Sequence, residues 1–159
     1  MIKEKKHRLP LNLYIGEISV AFTLCIKNRS QPFTNPDVVQ HFCKILSSVV
    51  TEGNCIVPIF SFMPDHQHII LTGTNENSNL WETVVKYKQK TGYWFSKNSP
   101  EISWQKDFFD HIIRKESDLP KQVYYILDNP VRKGLVSSWE KYPFKGSIGC
   151  RFEDFLKGF

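Results

Sequence analysis

His66-Gln67-His68 is one place in this chain where residue types and spacing allow chemistry. On a strand, residues i and i+2 point to the same face, about 6.5 to 7 Å apart along the chain, so both imidazoles can converge on one metal ion. The same pattern suits two histidines that merely pack or meet water. The residues alone leave both readings open. The preceding Met63-Pro64-Asp65 predicts a turn, which puts the pair at the start of a hairpin strand, a rigid place to fix ligands.

A second candidate lies in Lys121-Gln-Val-Tyr-Tyr-Ile-Leu-Asp-Asn-Pro130. At about 100° per residue, Val123, Ile126 and Leu127 join Leu119 in one apolar stripe. Tyr124 falls on the flank of that stripe. Tyr125 and Asn129 fall together nearly opposite it, at i and i+4 spacing. This face is either a solvent face or one that looks into a site, with a phenol and an amide oxygen side by side.

The two candidates fit one chemistry. A tyrosine can attack a DNA phosphodiester, hold the 5′ phosphate covalently and free a 3′ hydroxyl. The step is close to isoenergetic, so the same site can rejoin strands. A phenol ordinarily titrates near pH 10, so only about 0.1% is phenolate at neutral pH, a handicap of about 4 kcal/mol. A divalent cation offsets this by polarising the phosphate. Two imidazoles and an amide oxygen leave positions open for phosphate oxygens and water, and such a mixed set suits Mn²⁺ or Mg²⁺ better than a closed structural zinc.

Elements must hold these groups in place. Ile15 to Ile26 reads as a first strand, rich in β-branched and aromatic residues. Pro36 opens a helix that follows the 3.6-residue period through Val38, Val39, Phe42, Ile45, Leu46 and Val49 to about Thr51, with Gly53 just beyond. Asn54 to Phe62 is a strand in which Pro58 suggests an edge or a bulge, and His66 to Thr72 is its hairpin partner. Leu80 to about Ser96 is a helix with Trp81, Val84, Val85, Thr91, Trp94 and Phe95 inward. Trp104 to Arg114 is a fourth strand. Ser117 caps a helix to Asn129, which Pro130 should stop, and the remainder is irregular or a short closing element.

The order β-α-β-β-α-β-α predicts an α+β, ferredoxin-like split β-α-β sandwich, an antiparallel sheet with helices on one face, plus a C-terminal helix carrying the candidate nucleophile. The length, 159 residues, fits one domain, residues 11–159, behind a basic lead-in at residues 1–10. Hydrophobic residues make up 41% and charged residues 23%, within the range of a water-soluble globular domain. No apolar run approaches the roughly 18 to 20 residues of a membrane span, and the charged N-terminus lacks an export-signal pattern. A cytoplasmic protein without a membrane role is expected. Cys25, Cys43, Cys55 and Cys150 are scattered, which argues against a disulfide framework or structural zinc. The net charge of +5 favours an anionic partner without identifying one.

Three blocks together resemble one family. Met63-Pro64-Asp65-His66-Gln67-His68-Ile69-Ile70 resembles the histidine motif of the HUH-type single-tyrosine transposases. Trp104-Gln105-Lys106-Asp107-Phe108-Phe109-Asp110-His111-Ile112-Ile113-Arg114 is similar to the W-Q…D-H-x-I-R block of the REP-associated tyrosine transposases. The run from Tyr125 to Val136 is similar to their Y-I-x-x-N-P-V-x-x-G-L-V block. The blocks stand in the family's order over residues 60–136. The resemblance implies the HUH nuclease fold, a divalent metal on His66 and His68, Tyr125 rather than Tyr124 as nucleophile, and Asn129 completing the metal site. It also implies a homodimer acting on hairpin-containing single-stranded DNA. Gln67 departs from the family's usual apolar middle residue and should alter packing rather than activity. Phe109 stands where many relatives carry tyrosine.

For DNA contacts, Lys86, Lys88 and Lys90 alternate with aromatics, Tyr87 and then Tyr93 and Trp94. Lysines neutralise phosphates and exposed rings stack unpaired bases; a solvated helix face fits the same pattern. Arg114, Arg132 and Lys133 flank the candidate site, and Lys3 to Arg8 reads either as a grip on a DNA hairpin or as a disordered tail. A non-catalytic single-stranded nucleic-acid-binding module of the same fold remains the alternative, since such a module has no need of His66, His68 and Tyr125 together. A metal-dependent hydrolase using water as nucleophile is a third.

Overall fold

A computed structural model describes residues 9–157. The segment Lys3 to Arg8, and with it most of the basic lead-in, lies outside the described residues.

Among the described residues five strands form one antiparallel sheet: β1 (Ser19–Cys25), β2 (Cys55–Met63), β3 (His66–Gly73), β4 (Phe109–Ile113) and β5 (Lys145–Ile148), in the order β4-β1-β3-β2-β5. The first four strands have the ferredoxin-like order. β5 extends the sheet beyond β2, so Pro58 marks an irregularity rather than an edge: the register of β2 shifts between Ile56 and Ile59 against β3. The fourth strand is shorter than its sequence suggests. Trp104 makes only an isolated bridge to Ile26 and buries its ring among Phe33, Phe42 and Phe95.

Helices α1 (Pro36–Glu52) and α2 (Leu80–Asn98) cover one face. Asn35 caps α1 by accepting from the Asp37 amide at 2.9 Å, and Asn79 caps α2 by accepting from Glu82 at 3.0 Å. Their apolar sides meet Val20, Phe22, Leu24, Phe62, Ile69 and Leu71 in the main core. Helix α3 (Asp118–Arg132) packs on the other face, where Val123, Ile126 and Leu127 meet Ile59, Ile70 and Ile113. The two helices of the ferredoxin-like unit therefore share one face, as expected, and the added C-terminal helix covers the other. Alternation along the strands decides what meets α3: Thr23, Ser61, His66, His68 and Ile70 share its face, while Gln67 and Ile69 point to the main core.

Two details of α3 depart from the sequence expectation. Ser117 makes no side-chain cap. Pro130 does not stop the helix, which runs through it to Arg132. The end comes at Gly134, in the left-handed region at φ 74°, where the amides of Gly134 and Leu135 bond the carbonyls of Val131 and Pro130. The extra turn carries Arg132 back over the face that bears Tyr125.

Candidate active site

The β2–β3 connection is only Pro64-Asp65, and its carbonyls are tied down: that of Pro64 accepts from Phe33 and that of Asp65 from Ile26. His66 and His68 follow at once on β3, with ring centroids 4.9 Å apart and planes nearly perpendicular. Each imidazole is oriented by a neighbour. His66 Nδ1 donates to Asp65 Oδ1 at 2.7 Å, so in the neutral ring the lone pair lies on Nε2. His68 Nδ1 lies 3.1 Å from Thr23 Oγ1 across the β1–β3 ladder, and its Nε2 lies 3.1 Å from Asn129 Nδ2. An amide nitrogen can only donate, so Nε2 of His68 accepts and its proton sits on Nδ1.

Burial, with the charges of His66 and Arg132, drives the His68 pKa down from 6.5 to about 3, so this imidazole is neutral at physiological pH. Burial alone would raise the Asp65 carboxyl. The hydrogen bond and charge of His66, together with Arg29 at 3.6 Å, outweigh it and hold the carboxyl below its ordinary value.

From α3, Asn129 is 6% exposed and reaches the sheet, whereas Tyr125 is 55% exposed at the rim. They are not equivalent members of one outer face. Asn129 stands at the border of the apolar stripe, close enough to be enclosed against His68. Arg132 joins the two: Nη2 bonds the Tyr125 carbonyl at 2.8 Å and Asn129 Oδ1 at 3.3 Å, while the guanidinium carbon lies 4.0 Å from the centre of the Tyr125 ring. Asp128 holds the same guanidinium at 3.1 Å. A cleft of about 350 Å³ runs between α3 and the strands and has Thr23, His68, Phe109, His111, Gln122 and Tyr125 in its walls.

These donors suit a divalent cation. Both imidazoles present Nε2 lone pairs while their Nδ1 atoms are engaged behind, by Asp65 and Thr23, the arrangement typical of metal-bound histidine. Among the described residues no group of three His, Cys, Asp or Glu side chains could hold a metal; the set is two imidazoles and one amide. At present the Asn129 nitrogen faces His68, so using Oδ1 as a ligand requires the amide to turn.

The remaining sequence candidates lie apart, except Lys133. Lys86, Lys88 and Lys90 sit on α2, across the sheet from His68. Lys86 pairs with Glu52 at 3.3 Å, and Lys88 bonds the Lys106 carbonyl at 2.6 Å. Tyr87 is fully buried and cannot stack a base, though Tyr93 is exposed. Arg114 is exposed after β4, at the end of the sheet away from His66. Lys133 lines a cleft that His66 also borders. Sequence reasoning missed Thr23, whose role depends on cross-strand register, and Asp65, whose signal was its place directly before His66.

The family model for "Transposase IS200 like" matches residues 15–128. The chain is 23% identical over 134 residues to a Haemophilus influenzae protein assigned to the REP-associated tyrosine transposases, covering 77% of this chain and 76% of that one. It is 35% identical over 85 residues to the REP-associated tyrosine transposase of Escherichia coli, covering 52% and 48%. Among solved structures, a REP-associated tyrosine transposase bound to a REP hairpin superposes with a TM-score of 0.72 at 25% identity, covering 88% of this chain and 81% of that one.

Proposed function

The chain belongs to the IS200-like transposase family, and from that premise we propose that it cuts and rejoins single-stranded DNA through a covalent bond to Tyr125. The observation that carries the reading is the shared cleft, in which the Tyr125 phenol and the His68 imidazole are walls of one space and Asn129 closes on His68.

In the cleavage step Tyr125 Oη bonds to phosphorus and the P–O3′ bond breaks. The phenol gives up its proton to solvent and the departing 3′ oxygen gains one. The products are a 5′-phosphotyrosine and a free 3′ hydroxyl, and reversal with a second 3′ hydroxyl rejoins strands. His66, His68 and Asn129 would hold a divalent cation, Mg²⁺ or Mn²⁺, which supplies Lewis-acid polarisation of the phosphate when bound. Arg132 orients the Tyr125 ring and places positive charge beside the reacting phosphate. Lys133 and Arg132 are the phosphate contacts nearest the chemistry. The lysines of α2 are farther contacts that only a strand passing around the sheet would reach.

Hairpin-bearing single-stranded DNA is the proposed substrate, in line with the hairpin-bound structural relative. A homodimer and a cytoplasmic location belong to the same proposal and rest on the sequence reading. The deciding experiment incubates the protein with hairpin DNAs and Mn²⁺ or Mg²⁺ and looks for a covalent protein–DNA adduct. The adduct should vanish in Tyr125→Phe and in His66→Ala. Binding without an adduct would favour the binding module, and cleavage surviving in Tyr125→Phe would favour attack by water.

A further inference from the structure

A second cleft, of about 410 Å³, opens at the other end of the histidine pair. Apolar surface comes from Ile26, Met63, Pro64 and Leu135, Gln31 and Gln105 add amides, and the charged groups are Lys133, Arg29 and the Asp65 carboxylate that pairs with Arg29 at 3.6 Å. His66 stands at its border as His68 does at the border of the first cleft. The order of lining residues along two elements shows the relation. Ala21 and Thr23 of β1 line the tyrosine cleft, and Cys25 and Ile26 line the second. On α3 and its end, Gln122 and Tyr125 line the first, and Lys133 and Leu135 the second. The two clefts thus approach the histidines from opposite ends. The loop that brings Arg29 into the second cleft has Asn28 and Arg29 both in the left-handed region, at φ 60° and 58°, which is strained for side chains other than glycine.

In phosphoryl transfer the attacking and leaving oxygens lie roughly in line through phosphorus. With Tyr125 attacking from the first cleft, the departing O3′ points towards the second. We propose that the second cleft holds the nucleotide on the 5′ side of the scissile phosphate and reads its base. An apolar surface suits a base, primary amides match the paired donors and acceptors of a base edge, and Arg29 and Lys133 suit the flanking phosphate. Holding that nucleotide after cleavage also keeps its 3′ hydroxyl in line for rejoining.

The proposal rests on the strand-cutting reading, and the test separates the two. A pool of DNA hairpins with randomised single-stranded flanks is cleaved by the full-length protein in Mn²⁺, and both product ends are sequenced. The wild type should show a preference for the terminal base of the 3′-hydroxyl product. Gln31→Ala with Gln105→Ala should weaken it at least tenfold at that one position, with the 5′-phosphate side unaltered. Gln105→Glu should move the preference towards cytosine, whose amino group gives a carboxylate a donor. Gln31 is exposed and Gln105 only half-buried, so neither change opens the core. An unchanged preference, or an equal loss at every position, overturns the inference while leaving strand cleavage standing. Absence of any adduct from the wild type overturns both.

Discussion

The guanidinium of Arg132 lies 4.0 Å from the ring centre of Tyr125, seven residues earlier on one helix. Such a contact requires α3 to continue past Pro130, despite a cost of about 3 kcal/mol for proline inside a helix. The same side chain bonds Asn129 Oδ1 and the Tyr125 carbonyl. We expect Arg132→Ala to lower the rate of adduct formation roughly 10- to 100-fold, since it loses both the ring contact and a charge beside the phosphate. Arg132→Lys should recover part of the rate, because an ammonium restores charge without the planar fork. Single-turnover adduct formation measures both, with far-UV circular dichroism to confirm an intact fold. Equal rates in wild type and Arg132→Ala would remove Arg132 from the site.

Much of this arrangement was legible in the sequence. The H-x-H spacing on a strand, the short turn before it and the i, i+4 pair on a helix placed four side chains on the two elements that face each other. Other parts were hidden for physical reasons. Pro130 reads locally as a stop, yet the tertiary contact of Asn129 with His68 and the Gly134 terminus let the helix pass. Lys145-Gly-Ser-Ile148 carries no alternating pattern, so β5 depends on pairing with β2 rather than on its own propensity. Tyr87 looked like a base-stacking residue between lysines, but its hydroxyl has a partner in the core. Which face α3 would cover cannot be read from the order of elements alone.

Asp65 should govern metal affinity without touching the metal. Its carboxylate fixes the His66 tautomer at 2.7 Å. Asp65→Ala should weaken Mn²⁺ binding about 10- to 100-fold. Asp65→Asn keeps an acceptor and should lie between the two. Isothermal titration calorimetry of the DNA-free protein reads this directly, and unchanged affinity in Asp65→Ala would exclude the orienting role.

Acid should weaken the fold before ordinary carboxylates protonate. His68 binds a proton near pH 6.5 when unfolded but only near pH 3 when folded, because burial and neighbouring positive charge oppose it. Between those values the unfolded chain holds more protons, so stability falls as pH drops from about 6.5 towards 3 and is fully present above that window. The shift corresponds to at most about 5 kcal/mol. Urea denaturation across pH 4 to 8 should therefore show a slope that His68→Gln flattens. Parallel curves for the two proteins would assign the acid sensitivity elsewhere.

Gln67 offers a test of core polarity distinct from catalysis. Its Oε1 accepts from the Tyr87 hydroxyl at 2.5 Å, both residues are fully buried, and Gln67 Nε2 has no partner among the described residues. Replacing Gln67 by leucine strands the Tyr87 hydroxyl and should cost about 1–3 kcal/mol. Tyr87→Phe alone leaves the whole amide unpaired and should cost a similar amount. The double variant removes both polar groups and should come back close to wild-type stability, because an apolar pair of similar shape avoids the desolvation penalty. Gln67 points to the opposite face of β3 from His66 and His68, so adduct formation by the double variant should match the wild type. Additive losses in a denaturant-melting cycle would show that packing, rather than the hydrogen bond, sets the cost at this pair.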